Sequence, residues 1–207
     1  DPFHRWIRYR EGYAGELVKE ILQRHPIDST KYFLMDPMCG SGSSLVAAKQ
    51  EGLDSVGLDV NGYAVLAACV KGRVYRTEDL SDIEDAIDLF SAASIDCVCI
   101  DEELNEISKY FPSSNFEILC WIKSWISDHI QNSTAKDFLF LALLAILEDC
   151  SDRKKDGNGL ATRPAPVSDP KRRMMDQLEV MFSDISSCSA DQQAIALAKD
   201  CAALNLG

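Results

Sequence analysis

Residues 32–62 constrain the fold of this chain more than any other segment. An apolar run over 32–35 leads into a turn with two glycines, a helix of small residues follows from Ser43, and a second apolar run over 55–58 ends on Asp59. Glycine lets the backbone approach a ligand closely, and the first turn of a helix offers amide N–H groups without partners inside the helix. Ligands of open α/β sheets bind beyond the carboxyl ends of the strands, where Asp59 falls. The segment therefore predicts a nucleotide-type site in an α/β fold.

The glycine turn differs from a dinucleotide-binding turn. The dinucleotide fingerprint is Gly-x-Gly-x-x-Gly, and Leu45 stands where its third glycine would be. Asp36 opens the turn and disfavours a pyrophosphate, whereas its carboxylate can accept hydrogen bonds from a cationic or amine-bearing ligand. Asp59 follows Gly42 by seventeen residues, close enough to accept both hydroxyls of a ribose. A ligand with a ribose, a positive charge and no phosphate fits S-adenosylmethionine better than NAD.

At these positions the sequence resembles the S-adenosylmethionine-dependent DNA amino-methyltransferases, which modify the amino group of adenine or cytosine. Residues 36–48 are similar to their cofactor motif, usually Asp-Pro-Phe-Cys-Gly-Ser-Gly-Thr-Thr, and residues 57–61 to their ribose-binding motif. Residues 11–18 are similar to the motif that flanks the methionine end of the cofactor. The resemblance implies a cofactor-binding set drawn from these motifs and from the third strand: Tyr13, Asp36, Pro37, Met38, Cys39, Gly40, Ser41, Gly42, Asp59, Val60, Asn61, Asp200 and Cys201.

The third strand of the sheet is expected over 194–198, ending on Lys199 and Asp200. In the resembled family the third strand ends on an acid that meets the adenine amino group of the cofactor. The resemblance implies this role for Asp200, and an acid at a surface strand end is the alternative. Residues 151–160 also resemble a stretch that recurs in these enzymes before the catalytic motif, with a solvated loop as the alternative.

Apolar spacing predicts helices along most of the remaining chain. They are expected over 12–23, 43–51, 63–71, 79–90, 118–130, 138–149 and 171–185, with a loop over 157–170 where glycine and proline are frequent. The long helical run between the second and third strands indicates an inserted subdomain. The predicted fold is thus an α/β, Rossmann-like methyltransferase half-sheet of three strands with a large helical insertion. Its predicted parts are a cofactor-binding part over 1–76, the insertion over 77–190 and the returning strand over 191–207.

Composition narrows the class of protein. A net charge of −12 at pH 7 argues against a free-standing DNA binder, because phosphate contacts need clustered Lys and Arg.

None of the eight cysteines forms a Cys-x-x-Cys pair and the three histidines do not cluster near them, so no metal site is expected. Cysteines inside apolar runs favour a reducing cytoplasm. The longest apolar run, over 138–147, is ten residues, whereas about 20 cross a bilayer, so no membrane segment is expected.

The catalytic motif of the resembled family does not occur in residues 1–207. That motif is an Asp/Asn/Ser-Pro-Pro-aromatic tetrapeptide on the fourth strand, so no catalytic residue is assigned here. The order of the other motifs would place it shortly after Gly207, and a start on Asp1 rather than Met favours a trimmed or processed piece. The chain by itself is expected to be inactive. Its first strand would be an open apolar edge, and such edges associate.

The expected partner is therefore a separate polypeptide or downstream segment that carries the catalytic motif, with DNA contacted through that partner. The leading interpretation is the cofactor-binding part of a DNA amino-methyltransferase from a restriction–modification or phage-defence system. Part of an RNA methyltransferase is an alternative, because guanine-modifying RNA enzymes use a similar loop. A catalytically silent cofactor-binding subunit of a complex is another. The coding sequence immediately downstream would discriminate among the three.

Overall fold

The structure is a computed structural model that describes residues 2–8, 15–25, 27–96, 98, 100, 102–156, 159–162, 166–192 and 201–205. The chain divides into two compact units, one made of residues 1–80 with 183–207 and the other of residues 81–182. The first unit holds a small sheet with helices, and the second is mostly helical. Domain boundaries at 76 and 190 stay predictions.

The first part of the chain alternates helix and strand: α1 (Gly15–Arg24), β1 (Leu34–Asp36), α2 (Ser43–Gln50), β2 (Ser55–Asp59) and α3 (Gly62–Gly72). A mostly helical part follows: α4 (Thr77–Ala92), a 3-10 turn (Glu102–Leu104), α5 (Asn105–Ser108), α6 (Ser113–His129), α7 (Ser133–Cys150), β3 (Arg153–Asp156), β4 (Gly159–Thr162) and α8 (Pro170–Gln192). The last strand that the structure describes is β5 (Cys201–Asn205).

The main sheet has three parallel strands in the order β1-β2-β5. Parallel neighbours need a crossover connection, which α2 provides between β1 and β2. The carboxyl ends of all three strands lie at one edge of the sheet, where Asp59 of β2 pairs in register with Asn205 of β5. Within the described residues β1 pairs with β2 alone, so β1 is an edge strand. The chain is therefore a mixed α/β protein with its strand ends gathered at one edge.

The third strand lies at a different place from the one expected. The expected strand over 194–198 falls outside the described residues, and the strand that pairs with β2 is β5. Cys201 pairs with Ser55 and so begins β5 at the amino end of the sheet, away from the edge where Asp59 lies. Both segments are apolar, and local sequence does not decide which of the two adds to a sheet.

The predicted loop over 157–170 is wrong for Gly159–Thr162. This segment forms β4 and pairs antiparallel with β3, with Arg153 opposite Thr162. The Arg153 guanidinium donates a hydrogen bond of 3.0 Å to Thr162 Oγ1 across the pair. The strands carry no alternation of apolar residues, because β3 is Arg-Lys-Lys-Asp, so periodicity could not reveal them.

The helical unit is built on two long helices. The predicted helices over 118–130 and 138–149 are longer in the structure, as α6 and α7, because each begins with a polar turn that periodicity does not detect. Asn132 caps α7 by accepting a hydrogen bond of 3.0 Å from the Ala135 amide. Buried Asn115 donates to the carbonyl oxygens of Cys150 and Val167, at 2.8 and 2.6 Å. This unit carries its own core.

Candidate functional site

The glycine turn lies at the carboxyl ends of β1 and β2 and is held by backbone hydrogen bonds. The Cys39 amide donates to the Leu58 carbonyl at 2.9 Å, and the Gly42 amide donates back to the Cys39 carbonyl at 2.8 Å. Gly40 and Gly42 have positive φ, +50° and +79°, which L side chains rarely adopt. The turn between residues 36 and 43 is therefore bound to the end of β2 in a conformation that needs glycine.

Gly42 is required by packing as well as by its backbone angle. A Cβ atom on Gly42 would lie 2.7 Å from Ala68 Cβ and 2.8 Å from Ala68 Cα, on α3. Gly57 in β2 has the same property, since an added Cβ would lie 2.7 Å from Cys39 Sγ and 2.9 Å from Leu45 Cδ1. The absence of a side chain at both glycines therefore lets the start of α2 pack closely against β2 and α3.

Asp59 ties the turn to the second strand. Its carboxylate accepts hydrogen bonds from the Gly40 amide at 2.9 Å and the Asn61 amide at 2.8 Å, one on each oxygen. Asn61 in turn caps α3, because its side chain accepts a hydrogen bond of 3.0 Å from the Tyr63 amide. Each carboxylate oxygen has two lone-pair directions, so Asp59 keeps acceptor capacity after these contacts. The half-buried carboxylate can thus accept hydroxyl groups at the sheet edge.

Asp36 stabilises the opening of the turn. One oxygen accepts a hydrogen bond of 3.1 Å from the Met38 amide, and the other accepts from the Ser44 hydroxyl in the first turn of α2. These contacts bind the opening of the turn to the start of α2. A role for Asp36 toward an amine-bearing ligand stays a prediction.

Cys39 is a packed residue of the turn. It is buried with Leu45 and Ala68 in a small apolar cluster. Burial, together with the nearby carboxylates of Asp36 and Asp59, raises the pKa of the Cys39 thiol to about 11. The thiol is therefore protonated at neutral pH and is a poor nucleophile.

Two exposed apolar side chains flank the carboxylates. Met38 in the turn is 74% exposed, and Val60 after β2 is 73% exposed. Apolar side chains exposed beside polar groups offer surface that a ligand can cover. A flat, partly apolar ligand at this edge would bury both of them.

A lysine that the sequence does not single out lies beneath the turn. Lys71, near the end of α3, is 1% exposed, and its ammonium donates a hydrogen bond of 3.1 Å to the hydroxyl of Ser41, which is 3% exposed. Burial lowers the pKa of Lys71 to about 8. The sequence shows only a single lysine within the apolar run 63–72 of α3. That pattern is equally typical of a lysine exposed on the surface.

The structure brings most of the predicted site residues together and leaves three outside. The following lie around the turn and the end of β2: Asp36, Pro37, Met38, Cys39, Gly40, Ser41, Gly42, Asp59, Val60 and Asn61. Tyr13 and Asp200 fall outside the described residues. Cys201 is at the opposite end of the sheet from Asp59, so the strand end beside Asp59 is contributed by Asn205 instead.

The described residues contain no group of three or more His, Cys, Asp or Glu side chains that could hold a metal ion. In that same part of the chain, no helix combines the length and apolar character needed to cross a bilayer.

Comparison with known proteins identifies relatives of one kind. The chain is 29% identical over 162 residues to the type II methyltransferase M.BsoBI of Geobacillus stearothermophilus, a match that covers 76% of this chain and 31% of the relative. This chain is related to the type II DNA methyltransferases. It is also 26% identical over 163 residues to M.AvaI of Nostoc sp. strain PCC 7120, covering 77% of this chain and 33% of the relative. M.MjaII of Methanocaldococcus jannaschii is 32% identical over 75 residues, 36% of this chain and 14% of the relative.

The chain spans about a third of the length of the first two of these relatives. No protein-family model matches it, and no solved structure matches it. The relationship supports the resemblance that the motifs over 36–48 and 57–61 carry.

Proposed function

We propose that the chain is the S-adenosylmethionine-binding part of a DNA amino-methyltransferase of a restriction–modification or phage-defence system. The observation that carries the proposal is the pairing of the glycine turn with Asp59, whose carboxylate binds the turn through the Gly40 amide and keeps acceptor capacity at the sheet edge. The related type II methyltransferases support a DNA methyltransferase role.

The residues at the edge fit this cofactor. Asp59 accepts the two ribose hydroxyls, which are neutral donors. Val60 and Met38 bury apolar surface against the adenine ring, and each is more than 70% exposed in the structure. The turn presents carboxylates rather than a cluster of cations, which disfavours a pyrophosphate and tolerates a sulfonium. When bound, the cofactor supplies an electrophilic methyl group, and these side chains bind and orient it.

The target base is proposed to be bound by a second polypeptide or downstream segment with the Pro-Pro-aromatic motif. The described sheet ends on β1, with Phe33 60% exposed beside it and Met35 57% exposed within it. Exposed apolar side chains at an unpaired strand are an association surface. A catalytic strand added to β1 would cover this edge and bring the acceptor base to the cofactor. The Rossmann-like half-sheet with an inserted helical subdomain is part of the same proposal.

The ribose contact is tested by Asp59→Asn, measured by calorimetry with S-adenosylhomocysteine. The substitution weakens two charge-assisted hydrogen bonds to the ribose. The expected loss of binding free energy is about 3 kcal/mol, which lowers the affinity roughly a hundredfold. Asp88→Asn removes an exposed carboxylate from α4 and should leave the affinity unchanged.

Unaltered affinity in Asp59→Asn would show that Asp59 does not hold the ribose. Tighter binding of NAD than of S-adenosylhomocysteine by the unaltered chain would overturn the whole proposal. A thermal melt of each variant separates a loosened turn from a lost ligand contact, since Asp59 also accepts the Gly40 and Asn61 amides.

A further inference from the structure

The buried ammonium of Lys71 is the feature that the proposed function leaves unexplained. Within the described residues it forms no ion pair, and it donates a single hydrogen bond, to Ser41 Oγ at 3.1 Å. An ammonium has three donors, and burying it with one neutral partner costs folding free energy. Lys49 provides the contrast, because its ammonium donates to the carbonyl oxygens of Lys71 and Arg73 and lies 4.8 Å from the centre of the Phe3 ring. Lys71 has no comparable set of acceptors.

The direction of this hydrogen bond determines whether the Ser41 hydroxyl can donate its proton to a ligand. An ammonium can only donate, so Ser41 Oγ is the acceptor and its own proton points away from Lys71. The hydroxyl is thus a donor polarised by a positive charge, in a turn between Gly40 and Gly42 at the carboxyl edge of the sheet. A polarised hydroxyl backed by an ammonium favours an anionic acceptor.

The surrounding charges limit which anion fits. Asp36 and Asp59 lie in the same turn region, close enough to Cys39 to raise the pKa of its thiol. A phosphate with its larger negative charge would be repelled by these two carboxylates, whereas a single carboxylate beside Ser41 is better tolerated. The Asp59 carboxylate accepts from the Gly40 amide, and the Lys71 ammonium donates to the hydroxyl of the next residue, Ser41. The turn therefore has a negative charge next to one residue and a positive charge next to the following one. A ligand with hydroxyls at one end and one carboxylate at the other matches this order.

We propose that Lys71 is a positioning residue for the carboxylate of the methionine part of the cofactor, acting through the hydroxyl of Ser41. The inference rests on the proposed function and extends it to the end of the cofactor opposite the ribose. Lys71 holds the Ser41 hydroxyl in the donating direction and places a positive charge behind it.

Two ionisable groups near Lys71, His4 and Cys39, keep their protonation states between pH 7 and 9. Burial and the charge of Lys71 lower the pKa of His4, so His4 is neutral in this range. The Cys39 thiol, with a pKa of about 11, stays protonated. Burial lowers the pKa of Lys71 to about 8, so its ammonium loses its proton within this range. His4 and Cys39 interact electrostatically with Lys71, and the Lys49 ammonium donates to the Lys71 carbonyl. Further out, Glu16 and Lys19 act on His4, and Asp36, Asp59 and Cys69 act on Cys39.

The test compares two ligands on the purified chain, S-adenosylhomocysteine, which carries the carboxylate, and 5′-methylthioadenosine, which lacks the amino-acid end. Lys71→Met is expected to weaken S-adenosylhomocysteine by about ten- to a hundredfold and to leave methylthioadenosine within twofold. Ser41→Ala should give the same selective loss. The double variant should be no weaker than either single one, because the two residues act as a unit. Lys49→Met, which also removes a buried ammonium, should leave the ratio of the two affinities unchanged.

A second readout separates positioning from structural support. In the unaltered chain the preference for S-adenosylhomocysteine should decline as the pH rises through about 8, because the ammonium loses its proton, and it should be flat in Lys71→Met. The melting temperature of Lys71→Met at pH 7 should equal or exceed that of the unaltered chain, since a poorly compensated buried charge is removed.

Three results would contradict these expectations. Equal weakening of both ligands with a lower melting temperature would overturn the inference and make Lys71 a structural residue. A Ser41→Ala variant that keeps full selectivity would overturn it as well. Failure of both ligands to bind the unaltered chain would overturn the proposed function itself.

Discussion

Gly42 illustrates how one residue serves both the turn and the core beneath it. Its φ of +79° is accessible to glycine at little cost, and the absent side chain leaves room for Ala68 of α3. The motif over 36–48 predicts that glycine is needed here for a ligand. The structure adds that the side chain excluded by Gly42 would strike the protein itself.

Gly42→Ala is expected to destabilise the chain by about 3 kcal/mol. The left-handed backbone accounts for about 1 kcal/mol of this and the contact with Ala68 for about 2 kcal/mol. Gly52→Ala is the matched control, because Gly52 has φ of +68° and an added Cβ would meet nothing within 4 Å, so about 1 kcal/mol is expected. Urea denaturation measures both. Equal losses in the two variants would contradict the packing role of Gly42.

The residues of the turn are predictable from the sequence to different degrees. The turn, Asp59 and Asn61 come together because they follow two adjacent parallel strands, a relation that the order of motifs contains. Lys71 is not predictable, because it reaches Ser41 from the far end of α3, thirty positions along the chain. Asp59 binding the Gly40 amide is also invisible in the sequence, since it depends on how closely the turn approaches β2.

At the scale of elements, β1 is an edge strand of the main sheet among the described residues. The Leu34 amide donates to the Asp54 carbonyl at 2.8 Å, so in a parallel ladder the Met35 amide points to the opposite side, away from β2. Tyr32, Phe33 and Met35 are all more than half exposed. This edge offers both backbone donors and apolar surface to another strand.

The chain alone is therefore expected to self-associate, and Met35→Lys to reduce that association, because a lysine at a strand edge opposes pairing. Sedimentation velocity measures both. A polypeptide with the Pro-Pro-aromatic motif should form a heterodimer with the unaltered chain, form it less well with Met35→Lys, and give methyl transfer to DNA only in the heterodimer. A monomeric chain with methyltransferase activity of its own would contradict this, as would a heterodimer indifferent to Met35→Lys.

The helices and strands of the chain are predictable where their apolar residues are dense and the flanking residues mark their ends. Helices α2 and α3 and strand β2 are confirmed nearly to their ends, because their apolar residues are dense and their flanks carry glycine or aspartate. The hairpin of β3 and β4 was missed because its strands are charged, and β5 because the chain holds two short apolar segments close together. In both, pairing with another strand decides the structure, and pairing is not a local property.

At the scale of the whole molecule, the proposal separates the binding of the cofactor from the binding of the DNA. A net charge of −12 suits a part that holds a small cofactor more than one that holds the DNA backbone. The chain covers about a third of the type II methyltransferases M.BsoBI and M.AvaI, and its motifs over 36–48 and 57–61 resemble cofactor-binding motifs. We propose that this chain binds the cofactor and that the partner binds the acceptor base and the DNA.

The most direct test is a crystal structure of the chain with S-adenosylhomocysteine. The account predicts the ribose hydroxyls within hydrogen-bonding distance of Asp59, the adenine ring against Val60, and the methionine carboxylate within reach of the Ser41 hydroxyl above Lys71. A ligand bound at any other place, or one that lies at this edge without contacting Asp59, would contradict the central claim.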